Sequence, residues 1–178
     1  MTTNDSCAIP AAGRRNHWMN QVAGHAAMRP DAPALRYRGA DVTWSALQAD
    51  VTAGAAALAR RGVGFGDRVL MLTLNSPDVI AAVLAINTLG AIAVPINIRL
   101  ASPEIAYQLL APLVPAVAAH TARVEQVVVL GEAGDGQESW ADLVGEDAAG
   151  FEPPDVPEST CALIMYTSGT TGMPKGAM

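Results

Sequence analysis

The chain has 178 residues, of which 51% are hydrophobic and 16% are charged, and its formal net charge is −6. A chain of this length buries about 70% of the surface that its unfolded form exposes, so it can form one domain with a real core. Its apolar composition excludes intrinsic disorder as a general description. The acidic balance, without a long basic run, argues against nucleic-acid binding.

The N-terminal residues and the cysteines indicate a cellular compartment. Residues 1–16 form an irregular lead that we expect to be poorly ordered, and no basic segment followed by an apolar segment marks a secretory signal there. Cys7 and Cys161 are far apart and have no CxxC spacing, which favours two unpaired thiols in a reducing environment. We therefore expect a cytoplasmic protein.

One uncharged stretch, residues 79–98, is long enough to be tested as a membrane span. Gly90 and Pro95 interrupt it, and three of its residues are polar. The pattern before Gly90 is helical, whereas residues 91–96 are typical of a short buried strand. The sequence therefore predicts a helix, a turn and a strand here rather than a transmembrane helix.

An amphipathic helix is predicted in the first third of the chain. The apolar side chains that share one helical stripe are Trp44, Leu47, Val51 and Leu58. Thr43 is the predicted N-cap, and Gly62 ends the helix after two cations, Arg60 and Arg61, which the helix dipole favours at that end. A short hairpin with a glycine turn is predicted just before the helix, over residues 36–41.

Strands and helices then alternate. Residues 68–74 are predicted to form a buried strand after a glycine-rich turn. The next helix has the start signal Ser76-Pro77-Asp78, with a hydroxyl N-cap, a proline in the first turn and an acid after it, and it runs to about Leu89. A similar start, Ser102-Pro103-Glu104, opens a helix through Leu110. This order predicts parallel strands with crossover helices, an α/β fold with a mostly parallel sheet.

The last third of the chain is less regular. A strand is predicted over residues 127–130 and a short helix over residues 139–144. Residues 152–159 are an acidic, proline-rich connector in which neither a helix nor a central strand is possible. After it, residues 161–166 are predicted to form an apolar strand that leads directly into a glycine-rich loop.

That loop packs four hydroxyls, three glycines and one lysine into ten residues, Thr167 to Gly176. Glycines let backbone N–H groups turn inward as an anion-binding nest, hydroxyls add donors, and a lysine adds a compact positive charge. One charge pair at about 4 Å is worth on the order of 4 kcal/mol at an effective dielectric near 20, before desolvation. The loop therefore predicts phosphate binding in an acidic protein.

Other glycine-loop motifs do not match. A Walker A loop needs four residues between its glycines and then Lys-Ser/Thr, whereas Lys175 follows Pro174 and precedes Gly176. The GxGxxG dinucleotide fingerprint is absent from the loop. A flexible surface linker is the remaining alternative, but linkers are seldom so ordered in residue type.

Residues 166–176, Tyr-Thr-Ser-Gly-Thr-Thr-Gly-Met-Pro-Lys-Gly, match at every position the core motif of the adenylate-forming superfamily. The chain thus resembles a superfamily of acyl-CoA synthetases, peptide-synthetase adenylation domains and luciferases. Upstream segments that extend the resemblance over most of residues 20–178 are 66–69, 75–77, 89–91, 94–97 and 104–107. Thr170 and the segment 93–97 make it more similar to acyl-CoA synthetases, since peptide-synthetase domains usually carry a serine and a different segment there.

The resemblance implies a fold, a reaction and a site. Residues 17–178 would be an incomplete AMP-binding domain, the N-terminal αβ subdomain, with residues 160–178 as its strand and phosphate loop. The reaction would join a carboxylic acid, expected to be a fatty acid, to AMP from Mg²⁺-ATP, and then to coenzyme A. The residues that would hold the β- and γ-phosphates are Thr167, Ser168, Gly169, Thr170, Thr171, Gly172 and Lys175.

Two departures from the family pattern qualify these expectations. Family members have several hundred residues, and the segments for adenine, ribose, Mg²⁺ and the acyl group come later in them, so no catalytic or metal-binding residue is assigned within this chain. Residues 111–123 are also short and proline-marked where members have an extra strand. An inactive fragment with residual phosphate affinity, and a module that loads a carrier protein, stay open as alternatives. An exposed sheet edge would favour self-association or a complementing chain.

The remaining polar candidates are interpreted as structural. His17, His25 and His120 have no metal-ligand spacing and are expected at the surface or in packing. Asp67 follows a glycine turn, where a turn-capping carboxylate is expected. Asn97 and Arg99 follow a strand end, a position where α/β proteins often bind ligands, although a structural loop role is the preferred interpretation.

Overall fold

The computed structural model describes residues 18–71, 73–96, 128–130, 133, 138–167 and 175–177. Within these ranges the helices and strands, in chain order, are α1 (Trp18–Met28), β1 (Pro33–Tyr37), β2 (Ala40–Thr43), α2 (Trp44–Arg60), β3 (Arg68–Met71), α3 (Pro77–Thr88), β4 (Ile92–Pro95), β5 (Val128–Val129), β6 (Glu138–Ser139), α4 (Trp140–Gly145), β7 (Met165–Thr167) and β8 (Lys175–Ala177). The predicted lead, the helix after Ser102 and residues 111–123 lie outside the described residues.

The predicted hairpin is present as β1 and β2, which pair antiparallel around a two-residue turn. Arg38 has φ 50° and Gly39 has φ 85°. Two successive positive φ values give the turn whose twist matches that of the flanking strands, and glycine adopts such a φ without steric cost. The Arg36 guanidinium binds the Asp41 carboxylate across the hairpin at 2.6 Å, an exposed pair that adds little to stability.

The amphipathic helix α2 begins and ends where the sequence predicts. The Thr43 hydroxyl accepts a hydrogen bond from the Ala46 N–H at 3.2 Å, and Arg60 is the last helical residue. Leu47, Val51 and Leu58 of the predicted stripe are buried. Each such side chain contributes about 1.5–3 kcal/mol on burial, which explains why this face points into the core.

The unit β3–α3–β4 confirms the predicted parallel strands with a crossover helix. Arg68 lies beside Ile92 and Met71 lies beside Pro95 in the parallel register. The Ser76 hydroxyl caps α3 by accepting from the Val79 N–H, and Pro77 is the first helical residue. The helix-turn-strand prediction for residues 79–98 holds over its described part. Among the described residues, no helix has the combined length and hydropathy that crossing a membrane requires.

The strand predicted over residues 68–74 was too long. β3 ends at Met71, and Leu74 is 73% exposed. β3 is paired as far as its partner β4 extends: Met71 lies opposite Pro95, and the Ile96 N–H donates to the Met71 carbonyl at 2.9 Å. Strand length here is set by pairing, which the hydrophobic run does not report.

The core lies between α2, α3, α4 and the strands β3 and β4. α2 and α3 pack against each other, and the buried alanines of the two helices are Ala55, Ala56, Ala57, Ala81, Ala82 and Ala85. Trp140 of α4 lies against Gly54 of α2, where a Cβ would come within 2.3 Å of the indole ring. Close approach of the helices therefore depends on small residues at the contact.

The segment after residue 127 adds a second parallel pair and a capped helix. Val128 of β5 pairs with Glu138 of β6, a two-residue strand that the sequence did not predict. In α4, the Ser139 hydroxyl accepts from the Asp142 N–H while the Asp142 carboxylate accepts from the Ser139 N–H, a reciprocal capping box. The predicted helix is thus shifted by one residue. Residues 152–157 of the connector form neither helix nor strand.

The apolar run 161–166 is divided between two partners, which corrects the single strand predicted there. Leu163 forms an isolated parallel bridge with Ala93 of β4. The Ala93 N–H donates to the Ala162 carbonyl, and the Ile164 N–H donates to the Ala93 carbonyl, both at 3.0 Å. From Met165 the chain pairs with β8 instead. The run changes partner because β4 ends two residues after Ala93.

Candidate phosphate-binding site

The two ends of the predicted phosphate loop are joined by a β-ladder. β7 and β8 pair antiparallel, with Met165 beside Ala177, Tyr166 beside Gly176, and Thr167 beside Lys175. The backbone positions of Thr167 and Lys175, eight apart in sequence, are therefore Cα partners at the base of the loop. A ladder at the base restricts the conformations of the loop that it closes, which lowers the entropy lost when the loop orders around a ligand.

The base of the loop lies at the carboxyl edge of the parallel strands. Leu163 is level with Ala93, and β4 runs on in the same direction only to Pro95. β7 continues past this level to Thr167, so the base of the loop lies beyond the carboxyl end of β4. In open α/β sheets this is the edge at which ligands bind.

The structure places two of the predicted site residues, Thr167 and Lys175, on the paired strands at the base of the loop. The other five, Ser168, Gly169, Thr170, Thr171 and Gly172, lie outside the described residues, and their role in phosphate binding stays a prediction. Asn97 and Arg99 are outside the described residues as well.

A buried amide that the sequence analysis did not single out fixes the strand leading to this base. Asn87, in the last turn of α3, donates through Nδ2 to the Ala162 carbonyl at 2.8 Å and to the Ala91 carbonyl at 3.1 Å. The available signal was its position as a polar residue within an uncharged, apolar stretch. Such a residue is expected to be hydrogen-bonded when buried.

The principal charge cluster of the described residues is elsewhere, at the end of α2. Arg61 binds the carboxylates of Glu138 and Glu146, and Arg60 also binds Glu146. Hydrogen bonds from Arg61 and then Arg60 lower the pKa of Glu146 to about 2, and the bond from Arg61 lowers the pKa of Glu138. Because two carboxylates share the Arg61 guanidinium, this cluster joins elements and is not a vacant anion site.

Two of the other predicted candidates have the structural roles expected of them. The Asp67 carboxylate accepts from the Gly64 N–H at 2.8 Å within the glycine turn. The His25 ring packs on the Trp44 ring with centroids 4.5 Å apart. His17 and His120 lie outside the described residues. Across the described ranges, no three His, Cys, Asp or Glu side chains group as metal binding would need.

Comparison with known proteins connects this arrangement with a family. The model of the family "AMP-binding enzyme" matches residues 22–178. The chain is 41% identical to feruloyl-CoA synthase of Amycolatopsis sp over 157 residues, which is 86% of this chain and 31% of that protein. It is 37% identical to long-chain-fatty-acid–CoA ligase of Thermus thermophilus over 131 residues, 66% of this chain and 24% of that protein.

A solved structure agrees in fold. The anthranilate CoA ligase AuaEII in complex with anthranoyl-AMP superposes with a TM-score of 0.75 at 29% identity, covering 89% of this chain and 33% of that one. The chain thus spans about a third of the length of both the feruloyl-CoA synthase and the anthranilate CoA ligase. Its mixed α/β fold is that of the N-terminal subdomain of adenylate-forming enzymes. With a family match over residues 22–178 and the base of a glycine-rich segment at the expected sheet edge, the chain belongs to the AMP-binding enzyme family.

Proposed function

We propose that the whole protein is an AMP-forming acid–CoA ligase, and that the loop from Thr167 to Lys175 holds the β- and γ-phosphates of ATP. The observation that carries this proposal is the loop sequence, closed by the β7–β8 ladder beyond the carboxyl edge of the parallel strands. Glycine backbone N–H groups, hydroxyls and one lysine are the donors that a polyphosphate needs.

In the proposed reaction, a carboxylate oxygen attacks the α-phosphorus of ATP. A P–O bond to the acid forms, the bond to pyrophosphate breaks, and pyrophosphate leaves. The thiolate of coenzyme A then attacks the acyl carbon, and AMP leaves with the electrons of the broken C–O bond. The loop would act by positioning and by neutralising charge on the departing pyrophosphate, without covalent chemistry. We assign no magnesium ligand among the described residues.

The acid is proposed to be aromatic. Feruloyl-CoA synthase and the anthranilate CoA ligase, both similar to this chain, are named for aromatic acids. The fatty acid expected from the resemblance stays an untested prediction, and one of the similar proteins is named for long-chain fatty acids. Purified whole protein offered cinnamate-type, benzoate-type and long-chain acids in parallel should produce AMP faster with the aromatic acids. A clear preference for the long-chain acids would reverse this assignment.

Lys175→Ala tests the loop. We expect ATP–pyrophosphate exchange to slow at least tenfold, or about 1.4 kcal/mol in barrier, because the variant loses a cation at the phosphates. Arg68→Ala is the matched control, since it removes an exposed cation at the opposite, amino end of β3. An unchanged exchange rate in Lys175→Ala would remove the phosphate assignment.

The thiol acceptor is tested separately from the loop. Acid-dependent AMP release that requires coenzyme A supports the ligase. Exchange activity without any thioester formed on coenzyme A would favour the alternative of a module that loads a carrier protein.

A further inference from the structure

The buried side chain of Asn87 connects three parts of the fold that lead to the phosphate loop. It lies in the last turn of α3 and is 2% exposed. Its Nδ2 reaches the Ala91 carbonyl, just before β4, and the Ala162 carbonyl, three residues before β7. One amide group thus joins the crossover helix, the residue that precedes β4 and the segment that leads into β7.

The orientation of this amide follows from its acceptors. An amide NH₂ group has two hydrogens to donate, and here two carbonyl oxygens lie within 3.1 Å of the same nitrogen. The reverse orientation would place an oxygen against two oxygens, so Nδ2 must face the carbonyls. Asn87 therefore uses its full donor capacity to join backbone segments.

The other end of the amide shows that this connection has a cost. Within the described part of the chain, Oδ1 of Asn87 is buried without a hydrogen-bond partner. A buried unsatisfied acceptor is unfavourable, and an apolar side chain of similar size would avoid it. A leucine at this position would stabilise α3 by itself equally well. The presence of asparagine is therefore explained by the Ala91 and Ala162 carbonyls that its Nδ2 binds.

The Nδ2 donors help to set the register in which the segment before β7 pairs with β4. The Ala162 carbonyl accepts from the Ala93 N–H as well as from Asn87, and Ile164 completes the bridge by donating to the Ala93 carbonyl. This bridge is short, because the chain pairs with β4 only around Leu163 and pairs with β8 from Met165 onward. A two-bond bridge next to a change of partner is prone to slip, and a third bond from a rigid helix opposes the slip.

We propose that Asn87 is a positioning residue for ATP. Its amide fixes the register of residues 162–164 against β4, and this register sets where the loop after Thr167 meets the triphosphate. The inference rests on the proposed function of the loop. Asn87 does not touch the nucleotide in this proposal. It acts through Ala162 and the bridge to β4, and displacement of a reacting group by about 1 Å can cost a hundredfold in rate.

The test is Asn87→Leu in the whole protein, with Thr88→Val as the matched control. Thr88 is the next residue of the same turn, and its hydroxyl donates to the Leu84 carbonyl within α3, away from the loop strand. We expect Asn87→Leu to lower kcat/KM for ATP in pyrophosphate exchange at least tenfold, while KM for the acid stays within about twofold. Thr88→Val should keep both constants.

Hydrogen exchange supplies a readout that does not need activity. In Asn87→Leu the amides of Ala93 and Ile164 should exchange faster than in the wild type, while those of α2 keep their protection. Rates of pyrophosphate exchange are expressed per folded molecule from the circular dichroism of each sample. Asn87→Ala, which removes the donors without adding a charge or volume, replaces the leucine variant if that one does not fold.

The outcomes separate the inference from the function on which it rests. If Lys175→Ala loses pyrophosphate exchange while Asn87→Leu or Asn87→Ala keeps wild-type constants per folded molecule, the positioning role is overturned and the loop assignment stands. If Lys175→Ala also keeps them, the proposed function itself fails. A loss in the Asn87 variants that affects ATP and acid equally indicates general destabilisation and likewise overturns the inference.

Discussion

At the scale of single residues, the fit of Gly54 against Trp140 governs how α2 and α4 pack. Trp140 is 4% exposed, and a Cβ on Gly54 would lie 2.3 Å from one ring carbon and 2.8 Å from another. A buried indole ring cannot move aside without disturbing Leu143 and the rest of the core. Glycine in the middle of a helix is unfavourable by about 1 kcal/mol, and here it is explained by the space the ring needs.

Gly54→Ala is therefore expected to destabilise the protein although alanine is the better helix former. Overpacking a core costs about 1–3 kcal/mol, which exceeds the roughly 1 kcal/mol gained in helix propensity. Gly24→Ala in α1 is the control, because nothing lies within 4 Å of its would-be Cβ, and it should be neutral or stabilising. Chemical denaturation measures both. A Gly54→Ala variant as stable as Gly24→Ala would contradict the packing argument.

At the scale of elements, Arg61 connects the end of α2 to β6 and to the end of α4. Its side chain is 15% exposed and donates to Glu138 and to Glu146. The sequence has two arginines at the predicted C-terminal end of α2, where the helix dipole favours cations, and Arg61 is the C-cap residue. Their carboxylate partners lie about 80 residues later in the chain, so no local pattern indicates them.

This connection makes stability pH-dependent. The folded-state pKa of Glu146 is lowered to about 2 by hydrogen bonds from Arg61 and Arg60, while an unfolded glutamate titrates near 4.3. A carboxyl whose folded pKa is lowered contributes stability above its unfolded pKa, and the contribution is lost as the pH falls from about 4.5 toward 2. The lowered pKa of Glu138 acts in the same direction.

Arg61→Met is expected to reduce the dependence of stability on pH between about 2 and 4.5, since both carboxylates then titrate closer to their unfolded values. Melting temperatures measured across this range should fall less steeply with acid than in the wild type. Arg38→Met, which removes a guanidinium that lies over the Tyr37 ring, should leave the slope as it was. Equal slopes for the wild type and Arg61→Met would refute the assignment.

At the scale of the whole molecule, the chain spans 31% of the feruloyl-CoA synthase that it resembles. The large hydrophobic side chains exposed in its described part are Trp18, Met28, Phe65, Leu74, Ile80 and Met165. Leu74 and Ile80 flank the start of α3, and Met165 lies on β7, two residues before Thr167. Apolar side chains exposed near a functional edge favour association with another surface.

Residues 1–178 produced alone are accordingly expected to self-associate and to show no ATP–pyrophosphate exchange. Size-exclusion chromatography with light scattering should report species larger than 18.4 kDa, the mass of one chain. Leu74→Ser combined with Met165→Ser should shift them toward the monomer. A monodisperse, cooperatively melting monomer would contradict the first expectation, and measurable exchange would contradict the second.

By itself the sequence determined the elements whose signals are local. Thr43 and Ser76 cap helices because a hydroxyl satisfies the N–H groups of the turn that follows it. Residues 166–176 indicated the family because they match its core motif at every position. Tertiary structure alone decided where strands stop and what they pair with. β3 ends at Met71, level with the last residue of its partner β4, and the run after Cys161 changes from β4 to β8. The ladder at the base of the loop and the bonds of Asn87 likewise join residues distant in the chain. Such contacts depend on the packing of the whole sheet, whereas caps and loop composition depend on only a few neighbouring residues.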